Sequence, residues 1–263
     1  MKRASLNKLL KFMLVVVMFI ILTPVIILFI WAFASRWPWP NLLPKAYSLR
    51  AVMDLFAPHT KLFSTLLSSV FLSLMVAILS AIVATMTARA LVLYDFRGKR
   101  LIEFLSVSPM LVPGTVFAMG IHTIFIKMFL ADTVLGVIIV HLIYTLPYTV
   151  NIMKDLTKSV GAQMETQAYV LGASPFKSFI YITFPLLIPG IIASITMAYI
   201  TSISQYFITL LIGGGKVKTL SILMVPFIAK GDRSIGSAYA LVFIISTLVF
   251  FIIIKKVIKD YRN

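Results

Sequence analysis

The chain has 263 residues, 60% of them hydrophobic and only 12% charged, with a mean hydropathy of +1.04. A soluble domain of that length carries about 25% charged residues, so this is an integral membrane protein with no room for a large soluble domain. The net charge of +16 fits basic loops held on the cytoplasmic side better than nucleic-acid binding, and the lack of cysteine excludes disulfides, thiolate nucleophiles and Cys-ligated metals.

The first apolar run, Phe12 to about Ala34, follows a basic head with Lys2, Arg3, Lys8 and Lys11. Its length exceeds the roughly 7–15 residues of a signal-peptide core, and it lacks a clear small-x-small cleavage site, so it reads as a retained span entering from the cytoplasm. Trp37 and Trp39, with Pro38 and Pro40, suit the headgroup layer at its far end. Further spans are expected at about Leu62–Leu93, Leu101–Leu130, Val134–Met153, Phe184–Ile212 and Ile235–Ile254. The second exceeds the bilayer's need, which implies tilt or extension into water. Six spans put both termini on one side. With that side cytoplasmic, 15 of the 24 Lys and Arg residues fall inside and 9 outside, the sign that topology requires.

An energy source is missing from the chain. The segment nearest to a phosphate-binding loop, Gly213-Gly214-Gly215-Lys216-Val217, lacks the hydroxyl after the lysine and the preceding strand. Ion-coupled carriers place carboxylates or histidines inside the membrane, yet every acidic residue here lies near a span end or in a loop. His122 and His141 fall within spans three and four, as a proton relay, a metal pair, or neutral rings hydrogen-bonded between helices; two histidines without a nearby acid make a poor metal site. No hydrolase motif is visible, so the chain reads as a membrane pathway driven by something else.

The loop between spans four and five is the most informative segment. Val160, Met164, Ala168 and Leu171 recur at helical spacing. Gly172 offers a left-handed residue that ends a helix, Ser174 an N-cap, and Pro175 a first helical position where its missing N–H costs nothing. These residues predict a short helix, a sharp turn at Gly172, and a second helix leading through Pro185 and Pro189, which bend the entry into span five. Such a pair with an exposed apolar stripe is either a docking element or a loop folded back on its own spans.

This stretch resembles the signature loop of binding-protein-dependent ABC importer permeases (type I, MetI-like). Gly172, Ala173, Ser174, Phe179, Ile182, Pro185, Pro189, Gly190 and Ile191 match that pattern, while its opening acid-Ala-Ala triplet becomes Thr166-Gln167-Ala168, with Glu165 one place earlier. The resemblance implies an all-α integral membrane fold over residues 1–263 as one permease domain. It has six transmembrane helices and a cytoplasmic coupling-helix loop at about 154–183 between spans four and five. It implies docking to an ATP-binding subunit through Glu165, Ala168, Gly172, Ala173 and Ser174. Other partners would be a second permease subunit, of the same or a different chain, an extracytoplasmic solute-binding protein, and membrane lipid. No cofactor or metal is bound directly; ATP acts through the partner subunit, and the chain itself is not an enzyme. The location implied is the inner membrane of a bacterial or archaeal cell.

Span five carries Thr201, Ser202, Ser204, Gln205 and Tyr206 in its middle, the most polar mid-span cluster of the chain. In the resembling family this span lines the pathway, which makes Ser204, Gln205 and Tyr206 candidate pathway residues; interhelical hydrogen bonding is the competing reading. Gly213–Lys216 then reads as a flexible external link, and Thr219–Ile228 as an apolar segment too short to span. The region after span one resembles the spermidine/putrescine-type subfamily, which also includes iron, thiamine and phosphonate permeases. The basic outer loops favour a neutral or anionic solute over a polyamine. The competing classes are a self-sufficient secondary carrier or channel, and a membrane scaffold.

Overall fold

The computed structural model describes residues 2–38 and 40–262; for 2–9, 257 and 260–262 only the backbone is described. Trp39, half of the expected tryptophan pair, therefore lies outside the described residues. Among the described residues, five helices are long and apolar enough to cross a membrane, over Leu10–Ala32, Pro58–Leu93, Val134–Val160, Pro175–Ile203 and Arg233–Lys256, and a bent pair over Lys99–Leu111 and Gly114–Lys127 brings the number to six when it is counted as one span. Along the chain the elements are α1 (Lys2–Ala32), β1 (Ala34–Arg36), β2 (Ala46–Tyr47), α2 (Arg50–Leu55), α3 (Leu62–Leu93), α4 (Lys99–Leu111), α5 (Gly114–Lys127), α6 (Val134–Val160), α7 (Gln163–Val170), α8 (Pro175–Ser178), α9 (Phe184–Ile203), α10 (Phe207–Gly213), α11 (Leu220–Ala229) and α12 (Arg233–Arg262). They form two compact units, residues 1–62 with 223–246 and residues 63–222 with 247–263.

In the larger unit, α6 and α9 pack side by side. The face that α3 buries is one of small residues and hydroxyls, including Ser69, Ser73, Ala77, Ser80, Ala81, Ala84 and Ala88. In lipid the outward face gains nothing from being polar, so close approach of backbones and interhelical hydrogen bonds decide which face turns inward. Two apolar clusters flank this seam. One gathers Leu72, Val76, Phe125, Val137, Ile208 and Ile212; the other gathers Ala84, Ala88, Leu91, Val150, Met153 and Leu187. Hydroxyls close the gap between them: Thr145 Oγ1 donates to Ser80 Oγ at 3.2 Å, and the Ser80 and Thr149 hydroxyls stand 2.9 Å apart. His141 is fully buried between Ser202 Oγ and Thr209 Oγ1, each at 2.9 Å from a ring nitrogen. It is a ring hydrogen-bonded between helices, and no group of three or more potential metal ligands occurs among the described residues.

Two expected spans are interrupted. The third is not one helix over 101–130: α4 and α5 meet at 116°. Val112 is extended (φ −102°, ψ 132°), as a residue before proline prefers, and Pro113 has no N–H to continue the α4 ladder. The fifth does not run to Ile212 as one helix either. α9 ends at Ile203 and α10 restarts at Phe207, so Ser204, Gln205 and Tyr206 form the break itself. Side chains take up the freed carbonyls. Ser204 Oγ reaches the Ile200 and Thr201 oxygens at 2.9 and 3.1 Å, Ser221 Oγ the Ile203 oxygen at 2.7 Å, and Thr209 Oγ1 the Gln205 oxygen at 2.8 Å. The glycine run is a tight turn rather than a flexible link: Gly214 (φ +51°) closes α10, and an added Cβ would stand 1.8 Å from Asp132 Oδ1.

The smaller unit carries α1, the β1–β2 ribbon and α2, with the first part of α12. None of the most apolar window of α1 is buried within the chain. At its end Trp31 stacks on Trp37 with centroids 4.8 Å apart, and the Arg233 guanidinium lies 5.3 Å from the Trp31 ring. Asp232 caps α12 through the Ile235 N–H and pairs with Arg50 at 3.0 Å. The ribbon pairs Ala34 with Tyr47 and Arg36 with Ala46, and was not expected from the sequence.

Gly190 marks the tightest point of the α6–α9 contact: a Cβ there would meet Leu156 Cδ2 at 2.5 Å and Met153 Sδ at 3.1 Å. Gly190→Val should therefore destabilise the detergent-solubilised protein by about 1–3 kcal/mol, read as a lower unfolding midpoint. An unchanged midpoint would show that α6 and α9 do not pack as described.

Candidate functional site

The connection between α6 and α9 folds into α7, a turn, α8 and a π turn over Phe179–Thr183. The Gly172 turn is a complete Schellman closure. Gly172 adopts φ +86°, its N–H donates to the Tyr169 oxygen at 3.0 Å, and the Ala173 N–H donates to the Ala168 oxygen at 2.9 Å. Nothing lies within 4 Å of an added Cβ at Gly172, so the position is fixed by backbone conformation, not by space. Ser174 caps α8 by accepting from the Lys177 N–H, and Pro175 fills its first turn. Pro185 cannot donate in the ladder, and the π turn before it shifts the pairing by one residue, with the Phe184 N–H reaching the Phe179 oxygen.

One carboxylate ties this loop to the spans. Glu165 is 7% exposed. Arg89 Nη2, near the end of α3, lies 3.1 Å from both of its oxygens; Tyr169 Oη donates to Oε1 at 2.7 Å and Thr183 Oγ1 to Oε2 at 2.9 Å. The Arg89 guanidinium also lies 4.9 Å from the Phe179 ring centroid. Thus α3, α7 and the π turn converge on a single side chain. Burial pushes the Glu165 carboxyl up, but the hydrogen bonds from Tyr169, Thr183 and Arg89, with the charge of Arg89, outweigh it and hold the group below the usual carboxylate range. The same bond raises the Tyr169 phenol.

Anchoring leaves an apolar tip facing out. Val170 is 83% exposed, Leu171 87% and Phe176 75%. Glu165 and Ala168 point inward, Ala173 is half-buried, and Gly172 and Ser174 sit at the exposed turn. The expected stripe of Val160, Met164, Ala168 and Leu171 is therefore split: Ala168 is buried, while Met164 and Leu171 face out. Arg89, Tyr169 and Thr183 were missed from sequence. The signal for Arg89 was a lone arginine between Ala88 and Ala90 within an apolar run, before the polar turn at Tyr94. At the other candidate site, the Ser204 hydroxyl is spent on its own helix, whereas Gln205 and Tyr206 are half-buried at the break.

A bundle of broken and continuous spans carrying a clamped two-helix loop defines a membrane transport subunit. The family model described as "Binding-protein-dependent transport system inner membrane component" matches residues 77–263, and the chain belongs to that family. Among curated relatives, a putative ABC transporter permease of Streptomyces antibioticus is 25% identical over 81% of this chain and 94% of its own. A spermidine/putrescine transport system permease PotC homolog of Mycoplasma genitalium is 25% identical over 78% and 74%. A molybdate/tungstate transport system permease, WtpB, of Pyrococcus furiosus is 24% identical over 84% and 88%. The fold is shared with a solved bacterial ABC transporter involved in the import of the acidic polysaccharide alginate, at TM-score 0.71 and 17% identity over 99% of this chain and 97% of that one. The chain is an ABC importer permease subunit, and its relatives are permeases rather than enzymes.

Removing either partner of the clamp leaves a buried charge uncompensated. Arg89→Gln or Glu165→Gln should cost about 3 kcal/mol of local stability, and the double variant less than the sum of the two. Amide exchange over residues 163–183 measures this; additive effects would show that the two groups do not interact. Because the Glu165 pKa is depressed, the stability it contributes is complete above the unfolded carboxyl value of about 4.3 and is lost as pH falls through the folded value. Protection of the loop should thus be level from pH 8 to about 5 and collapse only below the normal carboxylate range, whereas Glu165→Gln should show no such collapse.

Proposed function

We propose that residues 1–263 act as one permease domain forming half of a translocation pathway, with both termini and the α7–α8 loop on the cytoplasmic side. The loop seats in a cleft of an ATP-binding subunit. ATP hydrolysis on that separate subunit moves the loop, and the loop moves the spans through α3 and α9. The observation that carries this reading is the combination of an outward apolar tip (Val170, Leu171, Phe176) with an inward clamp (Glu165 on Arg89 and Thr183). A docking helix has to present area to its partner and be rigidly tied to what it drives, and this loop meets both requirements. In this reading Leu171 and Phe176 make the contact, Gly172 and Ser174 set its angle, and Glu165 and Ala168 transmit the motion from within. A second permease subunit completes the pathway, and an extracytoplasmic solute-binding protein delivers the solute at the inner membrane of a bacterial or archaeal cell.

For the solute, the basic outer residues Lys216, Lys218, Lys230 and Arg233 support a small anion over a polyamine, as do the relatives named for sulfate, 2-aminoethylphosphonate and molybdate or tungstate. Gln205 and Tyr206 at the α9–α10 break are the side chains we assign to the pathway, with Ser204 holding the break in shape.

The test is copurification in mild detergent with the cognate ATP-binding subunit, followed by ATPase assay in liposomes. Leu171→Asp and Phe176→Asp should insert normally but lose the ATP-binding subunit and at least about tenfold of stimulated ATPase, since each puts a charge into an apolar contact. Gly172→Leu should keep the protein inserted while reducing coupled transport, because a branched side chain at positive φ strains the turn by roughly 1–2 kcal/mol. If the purified chain alone moves labelled sulfate, molybdate or spermidine without ATP, it is a secondary carrier and the docking assignment fails.

A further inference from the structure

The C-terminal part of α12, α6 and α9 enclose a groove of about 440 Å³. Its lining includes Ile152, Ile192, Ile200, Phe251 and Ile254, and its one charged residue is Lys255. Thr196 also lines it, with its hydroxyl proton donated to the Ile192 oxygen at 2.8 Å. The apolar stretch along α9 runs from Pro189 to Ile200. Its eleven helical steps at about 1.5 Å each give about 16 Å, one half of a hydrocarbon layer about 30 Å thick. A transmembrane helix from another subunit would need about 20 residues of contact across both leaflets. The groove has the length of one acyl chain in one leaflet.

Its polar end is cationic. Lys255 is exposed at the mouth, and Lys259 lies one turn further along the same face of α12, with Lys256 beside them. Long basic side chains at a span end reach toward the headgroup layer. A leaflet-long apolar slot with Lys255 in its lining, and Lys259 one turn beyond on α12, matches the chain and the phosphate of one lipid molecule.

We propose that this groove is a binding site for an anionic phospholipid of the leaflet at the α12 C-terminus, with an acyl chain along α9 and its phosphate held by Lys255 and Lys259. The site wedges one lipid against both α9 and α12 beside the α6–α9 seam, and does not depend on which solute is carried or on the docking of the loop. The cysteine-free sequence makes the test direct, since an introduced cysteine is the only one. Ile192→Cys, carrying an environment-sensitive fluorophore, is reconstituted in nanodiscs of phosphatidylcholine containing trace spin-labelled phosphatidylglycerol or spin-labelled phosphatidylcholine with identical chains. The expected result is preferential quenching by the phosphatidylglycerol probe, roughly fivefold for each lysine engaged, abolished by Lys255→Gln with Lys259→Gln. Both lysines are exposed, so the variant keeps its fold, checked by an unchanged unfolding midpoint. Equal quenching by the two probes, or a preference that survives the double substitution, overturns the proposal. Absence of quenching together with cross-linking of Ile192→Cys to a second copy also overturns it and assigns the groove to a subunit interface.

Discussion

In hydrocarbon an unpaired peptide group costs several kcal/mol, and no water is present to relieve it. Every irregularity in this chain is shaped by that cost. Where α9 stops at Ile203, three hydroxyls from Ser204, Thr209 and Ser221 collect the carbonyls that the missing turn releases. Where Pro185 removes a donor, the helix widens into a π turn and the ladder resumes one residue out of step. Where Val112 and Pro113 stop α4, the chain turns through 116° instead of leaving a gap in a straight span. The bends are placed by a handful of side chains, and the long helices between them close their backbones on themselves.

The same economy appears at the membrane surface. A loop of short helices has too few internal bonds to hold a fixed orientation on its own. Here a single carboxylate takes four contacts from three segments, and the loop acquires the rigidity of α3. Val170, Leu171 and Phe176 stay exposed as a consequence, because the inward side of the loop is already occupied by Glu165, Ala168 and Ser178. An apolar tip on a rigid mount is what the docking proposed above requires.

Much of this was legible in advance, for identifiable reasons. Span number and the Gly172–Ser174–Pro175 turn follow from run length and from backbone preferences that act within a few residues. The breaks were half-legible. Pro113 is a residue type that interrupts a helix, whereas Ser204–Tyr206 read as pathway or helix-pairing residues on a continuous span, because hydroxyls that cap carbonyls are indistinguishable by type from hydroxyls that pair helices. Glu165 was singled out from the resemblance as a docking residue, with no sign of its intramolecular partner. Its inward turn depends on Arg89, 76 residues away, and no local pattern encodes that pairing. Helical periodicity also says little here: α3 is apolar on both faces, and what it buries is its small and hydroxylated side.

The ring of His141 has a direction built into it. Thr209 spends its only proton on the Gln205 carbonyl, so toward Nε2 it can act solely as acceptor, and the ring proton must sit on that nitrogen. Nδ1 faces the Ser202 hydroxyl at 2.9 Å, and that hydroxyl also donates toward Ser73 at 3.4 Å. One ring thus ties α6 to α9 and α10, with Ser73 of α3 at its edge. These side chains are buried, so the network holds helices together. The half-buried amide of Gln205 and phenol of Tyr206 lie outside that network.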